Sequence, residues 1–337
     1  MTVQEFITEW DRPSEMLQVH TSGSTGEPKT IAVEKKRMEA SARMTCDFLG
    51  LKSGDSALLC MSLDYIGGKM MVVRSLVRNL RLISVEPSGH PLRNISEAPT
   101  FAAMVPLQVY NSLKVPEERK KLLQIKHLII GGGAVDKVMA ETLKSFPHAV
   151  WSTYGMTETL SHIAMRRLNG PQASVWYQPL EHVQVHLNNE GCLVIEAPAI
   201  CSEPVVTNDL AELFIPKADI PDANEAHMFR ILGRKDSVIN SGGIKIQMED
   251  VERKLQGKLQ CAYQVSKAVD EKFGETVVLL VESTDIAPIK AICEQELPKY
   301  WQPRFYLSID QLPMTENGKP ARAKAIDIVR EYFADEF

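Results

Sequence analysis

The sequence has no apolar run approaching the ~20 residues that a membrane-spanning helix needs. Its most apolar stretches, such as Leu128 to Ile130 with their flanks, fall far short, and no membrane span is expected. It has no C-x-x-C pair among Cys46, Cys60, Cys192, Cys201, Cys261 and Cys293. A zinc knuckle, a dithiol redox motif and a disulfide framework are therefore excluded, and buried free thiols are expected. Positive charge is not in excess: 38 Lys and Arg stand against 43 Asp and Glu, a formal net charge of -5. A general nucleic-acid footprint requires a basic domain or stripe, so no nucleic-acid partner is expected and any anionic ligand must be held locally. The opening residues, MTVQEFITEWDRPSE, lack the basic stretch and apolar core of a secretory signal, which makes a cytoplasmic location the default expectation. There is no G-x-S-x-G elbow, no internal repeat and no low-complexity tract.

What is present is an ordinary globular composition, 44% hydrophobic and 24% charged over 337 residues, long enough for roughly two domains. From Ala57 to Tyr154 short apolar runs alternate with helical patterns: ALLCMSL, GKMMVVRSLVRNL, RLISVEP, TFAAMVP, HLIIGGG, DKVMAETLKSF and HAVWSTYG. That alternation predicts an α/β layer with a largely parallel sheet. Between about 178 and 233 the period changes to two, with HVQVHL and CLVIEA joined across Asn188–Gly191, and a β-rich subdomain is expected. After Gly233 helical and strand patterns alternate again, as in QMEDVERKLQG, CAYQVSKAV, ETVVLLVES and PIKAICEQEL, which predicts a small α+β domain over 237–337. The polar segment 233–237 between them reads as a hinge, leaving 1–233 as the larger domain. His182 and His186, four apart, are read as ordinary residues on one face of a strand rather than a metal pair.

The most informative segment is HTSGSTGEPKT. Thr21, Ser22, Gly23, Ser24, Thr25 and Gly26, followed by Lys29, form a run of hydroxyls and unhindered N–H groups suited to wrapping phosphate oxygens. A Walker A loop is disfavoured, because Pro28 stands before Lys29 and has no N–H to offer. The string resembles the phosphate loop of the adenylate-forming superfamily, which includes acyl-CoA synthetases, luciferases and peptide-synthetase adenylation domains.

Three further segments resemble motifs of that superfamily, in its order. Ser152, Thr153, Tyr154, Gly155, Met156, Thr157 and Glu158 resemble Y-G-x-T-E, which implies that the tyrosine and its loop face the adenine and that Glu158 helps hold Mg²⁺. A carboxylate beside a triphosphate suits this ion, which binds through one or two carboxylates plus phosphate oxygens. FRILGRKDSVINSGGIK resembles the hinge motif, implying Arg234 near the ribose, Asp236 as the pivot and Gly243 as the point where a pantetheine arm approaches. PMTENGK resembles the terminal G-K motif, implying that Lys319 bonds the substrate carboxylate and the α-phosphate during adenylation.

Two looser matches fit between them. Gly131, Gly132, Gly133 and Ala134 resemble the G-G-A-P segment lining the adenine and acyl pocket, with Val135 in place of proline. Thr207-Asn208-Asp209 resembles T-G-D, whose aspartate takes the ribose hydroxyls; asparagine, like glycine, tolerates left-handed backbone angles.

The resemblance implies a truncated adenylate-forming fold with a mobile C-terminal domain, with ATP, Mg²⁺ and CoA as cofactor and co-substrates. It also implies two steps: a small-molecule carboxylic acid attacks MgATP to give an acyl-adenylate and pyrophosphate, then a thiol takes the acyl group. Candidate acid-contacting residues are Tyr65, Lys69, Ser161 and His162. Arg74, five from Lys69 and off its helical face, is read as a solvated helix arginine. These pocket candidates, the compact size and SHIAMRRLNG are most similar to the superfamily's o-succinylbenzoate:CoA ligases of menaquinone biosynthesis. Another aryl or acyl acid, a carrier-protein thiol, or a catalytically degenerate AMP-binding module remain as alternatives. Typical members carry a long stretch before the phosphate loop, so apolar surface is expected to be covered by a partner or a second copy, as in a homodimer.

Overall fold

The computed structural model describes residues 1–20, 30–214, 228–315 and 320–334. They fall into two units: one comprises 1–20, 30–207, 211–214 and 228–230, the other 208–210, 231–315 and 320–334. Among the described residues no helix is long and apolar enough to cross a membrane.

The first unit is built on a seven-stranded sheet in the order Arg81–Ser84, Ser56–Leu59, Phe101–Met104, His127–Ile130, Ala149–Gly155, His162–Arg167, Gln178–Pro179. The first five strands are mutually parallel, and each of the last two is antiparallel to the strand before it in that order. Parallel neighbours need crossovers, and helices Ile66–Arg78, Pro106–Lys114, Pro116–Gln124 and Lys137–Leu143 supply them. Both faces are covered, so the strands read as unbroken apolar runs: every residue of Ser56–Leu59 and Phe101–Met104 is buried. Leu58, Met104, Leu128, Ile130 and Val150 pack with Leu122, Leu143 and Phe146 from the helices and their ends. The helix starts follow from sequence: Pro106 and Pro116 occupy first-turn positions, and the Asp136 side chain accepts from Met139 N at 2.8 Å.

The order turns back on either side of Ser56–Leu59, so the chain leaves opposite ways from the strands Ser56–Leu59 and Phe101–Met104. In open α/β sheets ligands bind outside the carboxyl ends of strands at such a switch point. Tyr65, the N-cap of helix Ile66–Arg78, and the segments after Ile130 and Tyr154 lie at carboxyl ends of strands.

Two further sheets flank this layer in the chain. Met16–His20 pairs antiparallel with Thr30–Glu34, from Met16 opposite Glu34 to His20 opposite Thr30. The period-two region forms a four-stranded sheet in the order Gln184–Leu187, Cys192–Glu196, Val205–Phe214, Met228–Arg234. The Asn188 side chain accepts from Glu190 N and Cys192 N, each at 2.9 Å, closing the predicted turn. His182 corrects the sequence reading: it lies outside the strand with φ 62°, while His186 sits within it, 3.3 Å from Glu196. A Glu-His pair after Leu180 breaks the apparent strand because the backbone turns there, with Val183 N donating to Leu180 O.

The second unit carries a five-stranded sheet. Ile244–Gln247, Val238–Ser241, Gly274–Val281 and Tyr263–Asp270 form its path, and Phe305–Ser308 pairs in parallel with Gly274–Val281. Val277, Leu279 and Val281 face Val251, Leu255, Ile289 and Cys293, whereas Val278 and Leu280 face Leu307, Ala325 and Val329. The two-residue alternation thus buries TVVLLV on both sides, against helices Met248–Leu255 and Ala287–Glu296 on one face and Arg322–Ala334 on the other. All six cysteines are free thiols, five of them buried, and burial pushes Cys60 up to about 12.

Candidate functional site

Phosphate-loop residues Thr21, Ser22, Gly23, Ser24, Thr25, Gly26 and Lys29, and the terminal Lys319, lie outside the described residues. The strands Met16–His20 and Thr30–Glu34 bracket the loop, a hairpin that the sequence reading missed.

In the first unit, Gly132, Gly133 and Ala134 follow the strand His127–Ile130 and are exposed. Thr153 Oγ1 donates to Ile130 O at 3.3 Å, tying this segment's base to the next strand. Ser152 is buried, its hydroxyl 2.9 Å from the Tyr177 hydroxyl. The Tyr154 ring meets Phe229 edge-on at 5.1 Å and Tyr177 at 5.9 Å, and Tyr177 stacks on Phe229 at 5.6 Å. Backbone bonds Tyr177 N to Phe229 O (2.6 Å) and Phe229 N to Tyr177 O (3.1 Å) lock that pair. Nothing in the sequence motifs marks Tyr177, and Phe229 enters them only as the first residue of the hinge segment FRILGRKDSVINSGGIK.

After Tyr154 the register shifts and the chain folds back sharply: Leu160 N donates to Thr157 O at 2.9 Å, and Leu160 takes φ 61°. The Thr159 hydroxyl accepts from Met156 N at 3.0 Å, bracing the turn from inside. Thr157 is buried and Glu158 exposed, so the loop delivers one carboxylate to solvent. Gly155 is required by close approach: a Cβ there would run into Ser161 O and His162 Cα. Both are backbone, which cannot swing aside. We expect Gly155→Ala to cost about 1–3 kcal/mol, typical of overpacking, read as a lower midpoint in urea unfolding. An unchanged midpoint would mean the turn yields freely.

Directly after this loop stand Ser161 and His162. Arg74 Nη2 donates to Ser161 Oγ at 2.7 Å, Ser161 Oγ lies 3.3 Å from His162 Nδ1, and His162 Nε2 lies 3.0 Å from Thr45 Oγ1. Thr45 comes from helix Lys35–Leu49. Arg74 is therefore not the solvated residue read from the sequence: it is 2% exposed. Its placement was legible, because Met70, Val73 and Arg74 fall on one stripe of their helix and the first two are core residues. No carboxylate among the described residues pairs with Arg74, and its Nε has no hydrogen-bond partner among them. Burial pushes its pKa down to about 10, and burial together with the Arg74 charge holds His162 well below the usual imidazole value. Lys69 does not join this group. It is buried with its Nζ 5.6 Å from the Phe6 ring centroid, and burial lowers its pKa.

In the second unit Asp209, Arg234 and Asp236 come together. Arg234 donates to Asp236 through Nε at 2.9 Å and Nη2 at 2.8 Å, and its Nη1 lies 3.6 Å from Asp209 Oδ1. The guanidinium's hydrogen bonds lower the Asp236 pKa and raise that of Arg234. The Gln247 side chain donates to Arg234 O at 2.7 Å, holding the backbone from which the fork projects. Gly243 lies in the two-residue loop between Val238–Ser241 and Ile244–Gln247, away from this fork in sequence.

Residues 8–196, more than half of the chain, match the family described as AMP-binding enzyme. The chain belongs to that family. Among curated relatives, the 2-succinylbenzoate–CoA ligase of Enterococcus faecalis is 27% identical over 98% of this chain and 73% of its own length. The enzyme of that name from Bacillus cereus is 25% identical over 94% of this chain and 70% of its own. Among solved structures, an acyl-CoA synthetase (AMP-forming)/AMP-acid ligase II-like protein from Dyadobacter fermentans is 30% identical, with TM-score 0.64 over 94% of this chain and 91% of that one. The o-succinylbenzoate CoA synthetase of Bacillus subtilis, in complex with its acyl-adenylate, has TM-score 0.74 at 22% identity over 91% of this chain and 68% of its own. The adenylate-forming α/β fold expected from the sequence is the fold these structures share.

Proposed function

We propose that this AMP-forming acid–thiol ligase activates o-succinylbenzoate with MgATP and transfers the acyl group to CoA. The observation that carries the substrate is Arg74: a buried guanidinium with no carboxylate among the described residues, beside the residues that follow the Tyr154–Glu158 loop. Burying a cation without a counter-ion is costly. A substrate with a second carboxylate, away from the one that reacts, supplies the missing charge, whereas a fatty chain does not. The names of the curated relatives favour the same acid.

In the first step one carboxylate of the acid attacks the α-phosphorus, forming the acyl-adenylate and releasing pyrophosphate; in the second the CoA thiol attacks the acyl carbon and AMP leaves. Bound Mg²⁺ would neutralise triphosphate charge, and Glu158, an exposed carboxylate on a braced turn, would help hold it. Mg²⁺ typically takes one or two carboxylates and fills its other positions with phosphate oxygens and water. Tyr154, wedged against Phe229, would wall the adenine.

The test is pyrophosphate release with MgATP over a panel of o-succinylbenzoate, benzoate and fatty acids, with products weighed by mass spectrometry with and without CoA. Release with o-succinylbenzoate and formation of its CoA thioester is expected. Release with a different acid alone would replace the substrate, and ATP binding without release would favour a degenerate module. Arg74→Met should lower kcat/KM for o-succinylbenzoate by about 100-fold, the scale of a lost charge-assisted pair. It should leave thermal stability unchanged or higher, because removing an unpaired buried charge relieves a desolvation cost.

A further inference from the structure

Four side chains in the first unit form one unbranched line. Arg74 Nη2 reaches Ser161 Oγ at 2.7 Å; Ser161 Oγ reaches His162 Nδ1 at 3.3 Å; His162 Nε2 reaches Thr45 Oγ1 at 3.0 Å; and Thr45 Oγ1 donates to Ser41 O at 3.1 Å. Thr45 is fully buried, Arg74 and His162 are 2% and 6% exposed, and Ser161 is half-buried. Water is thus a poor substitute partner at the Thr45 and His162 end of the line.

The direction of every bond follows from which end is fixed. A guanidinium only donates, so Ser161 Oγ accepts from Arg74. A main-chain carbonyl only accepts, so the single Thr45 hydroxyl hydrogen goes to Ser41 O, and Thr45 Oγ1 accepts from His162. A neutral imidazole has one N–H, which must then be on Nε2, leaving Nδ1 to accept the Ser161 hydroxyl hydrogen. The other tautomer would turn a bare Nε2 toward Thr45 Oγ1, and the fully buried Thr45 hydroxyl, with one hydrogen, could then keep only one of its bonds to Ser41 O and His162, a cost of about 1 kcal/mol.

We propose that Thr45 and His162 are positioning residues: they hold the Ser161 hydroxyl turned away from the acid pocket, so that Ser161 presents only lone pairs and fixes the Arg74 guanidinium by one arm. Two consequences follow. Ser161 has no hydrogen to give a substrate carboxylate, so of these two residues Arg74 is the donor, its Nε being without a partner among the described residues and its Nη1 facing only Met71 Sδ at 3.8 Å. The aim of that donor is set three hydrogen bonds away, by a threonine on a helix outside every motif of the family named above. This inference rests on the reading of Arg74 as the group that meets the second carboxylate.

Nitrogen-15 NMR of the histidines in the full-length protein tests it without substrate. The His162 signal, assigned by its loss in His162→Gln, is expected to show a protonated Nε2 and a bare Nδ1. Thr45→Val keeps the shape and removes the acceptor, and should move the proton to Nδ1. It should also raise KM for the activated acid about tenfold, the loss of one aimed hydrogen bond, with kcat and the KM for ATP unchanged. Thr45→Ser should restore both the tautomer and the KM. A wild-type Nδ1–H tautomer, or Thr45→Val with an unchanged KM, overturns the proposal. If Thr45→Val does not fold, the wild-type tautomer and the KM of Thr45→Ser still decide. Absence of turnover with any dicarboxylic acid in wild type would count against the substrate reading, while the tautomer stands or falls on its own spectrum.

Discussion

Lys319→Ala is expected to lower pyrophosphate release by about 10²–10³ while leaving thioester formation from supplied acyl-adenylate close to the wild-type rate. The reasoning is electrostatic. In the first half-reaction negative charge sits on the attacking carboxylate and on the α-phosphate oxygens at once, and the two repel. A fixed ammonium between them is worth more as they approach than while they are apart, which is the condition for lowering a barrier. Removing one such aimed donor commonly costs about 3–4 kcal/mol. In the second half-reaction the acyl–phosphate bond already exists and the attacking group is a thiol, so the same ammonium has no approaching anions to screen. Measuring the two steps separately, by pyrophosphate release and by CoA-thioester yield from synthetic adenylate, distinguishes this role from a structural one. Equal losses in both assays would take Lys319 out of the first step.

The sheet layer was legible because its strands are buried on both faces, so that runs such as HLII and FAAM carry their own signal between turn residues. The second unit was legible for the same reason in TVVLLV. The hairpin Met16–His20 with Thr30–Glu34 was not, because its strands are five residues each and bury few side chains, Leu17, Val19 and Val33 among them. Motifs singled out the turn Tyr154–Glu158 and the residues Asp209, Arg234 and Asp236, since these strings are local, but not that the last three meet in one fork. They could not place Arg74 or Thr45. Arginine in a helix is a surface residue by composition, and only the stripe shared with Met70 and Val73 argued otherwise. Thr45 matters through a contact 117 residues away in sequence, and nothing local marks it. His182 was misread for the opposite reason: a period-two pattern continued past the point where the backbone turned.

Gly243 invites the complementary prediction, that a side chain there stops the second half-reaction and spares the first. Gly242 and Gly243 have φ 58° and 84° and form the two-residue loop of a hairpin in which Ser241 faces Ile244. Positive φ at both positions is the signature of the tight turn that glycine or asparagine fills. The turn alone is therefore a sufficient reason for a glycine, and a substitution must separate strain from approach. A Cβ on Gly243 would meet no atom within 4 Å, so the fold itself has room for a side chain. Gly243→Leu adds bulk and left-handed strain of about 1–2 kcal/mol together. Gly243→Asn adds bulk with little strain. If Gly243 marks where the pantetheine arm approaches, both variants lose CoA-thioester formation by about 100-fold or more, a barrier change near 3 kcal/mol, and both keep pyrophosphate release. If the glycine serves only the turn, Gly243→Asn behaves as wild type in both assays and Gly243→Leu alone loses stability, seen as a lower unfolding midpoint with the two half-reactions affected alike.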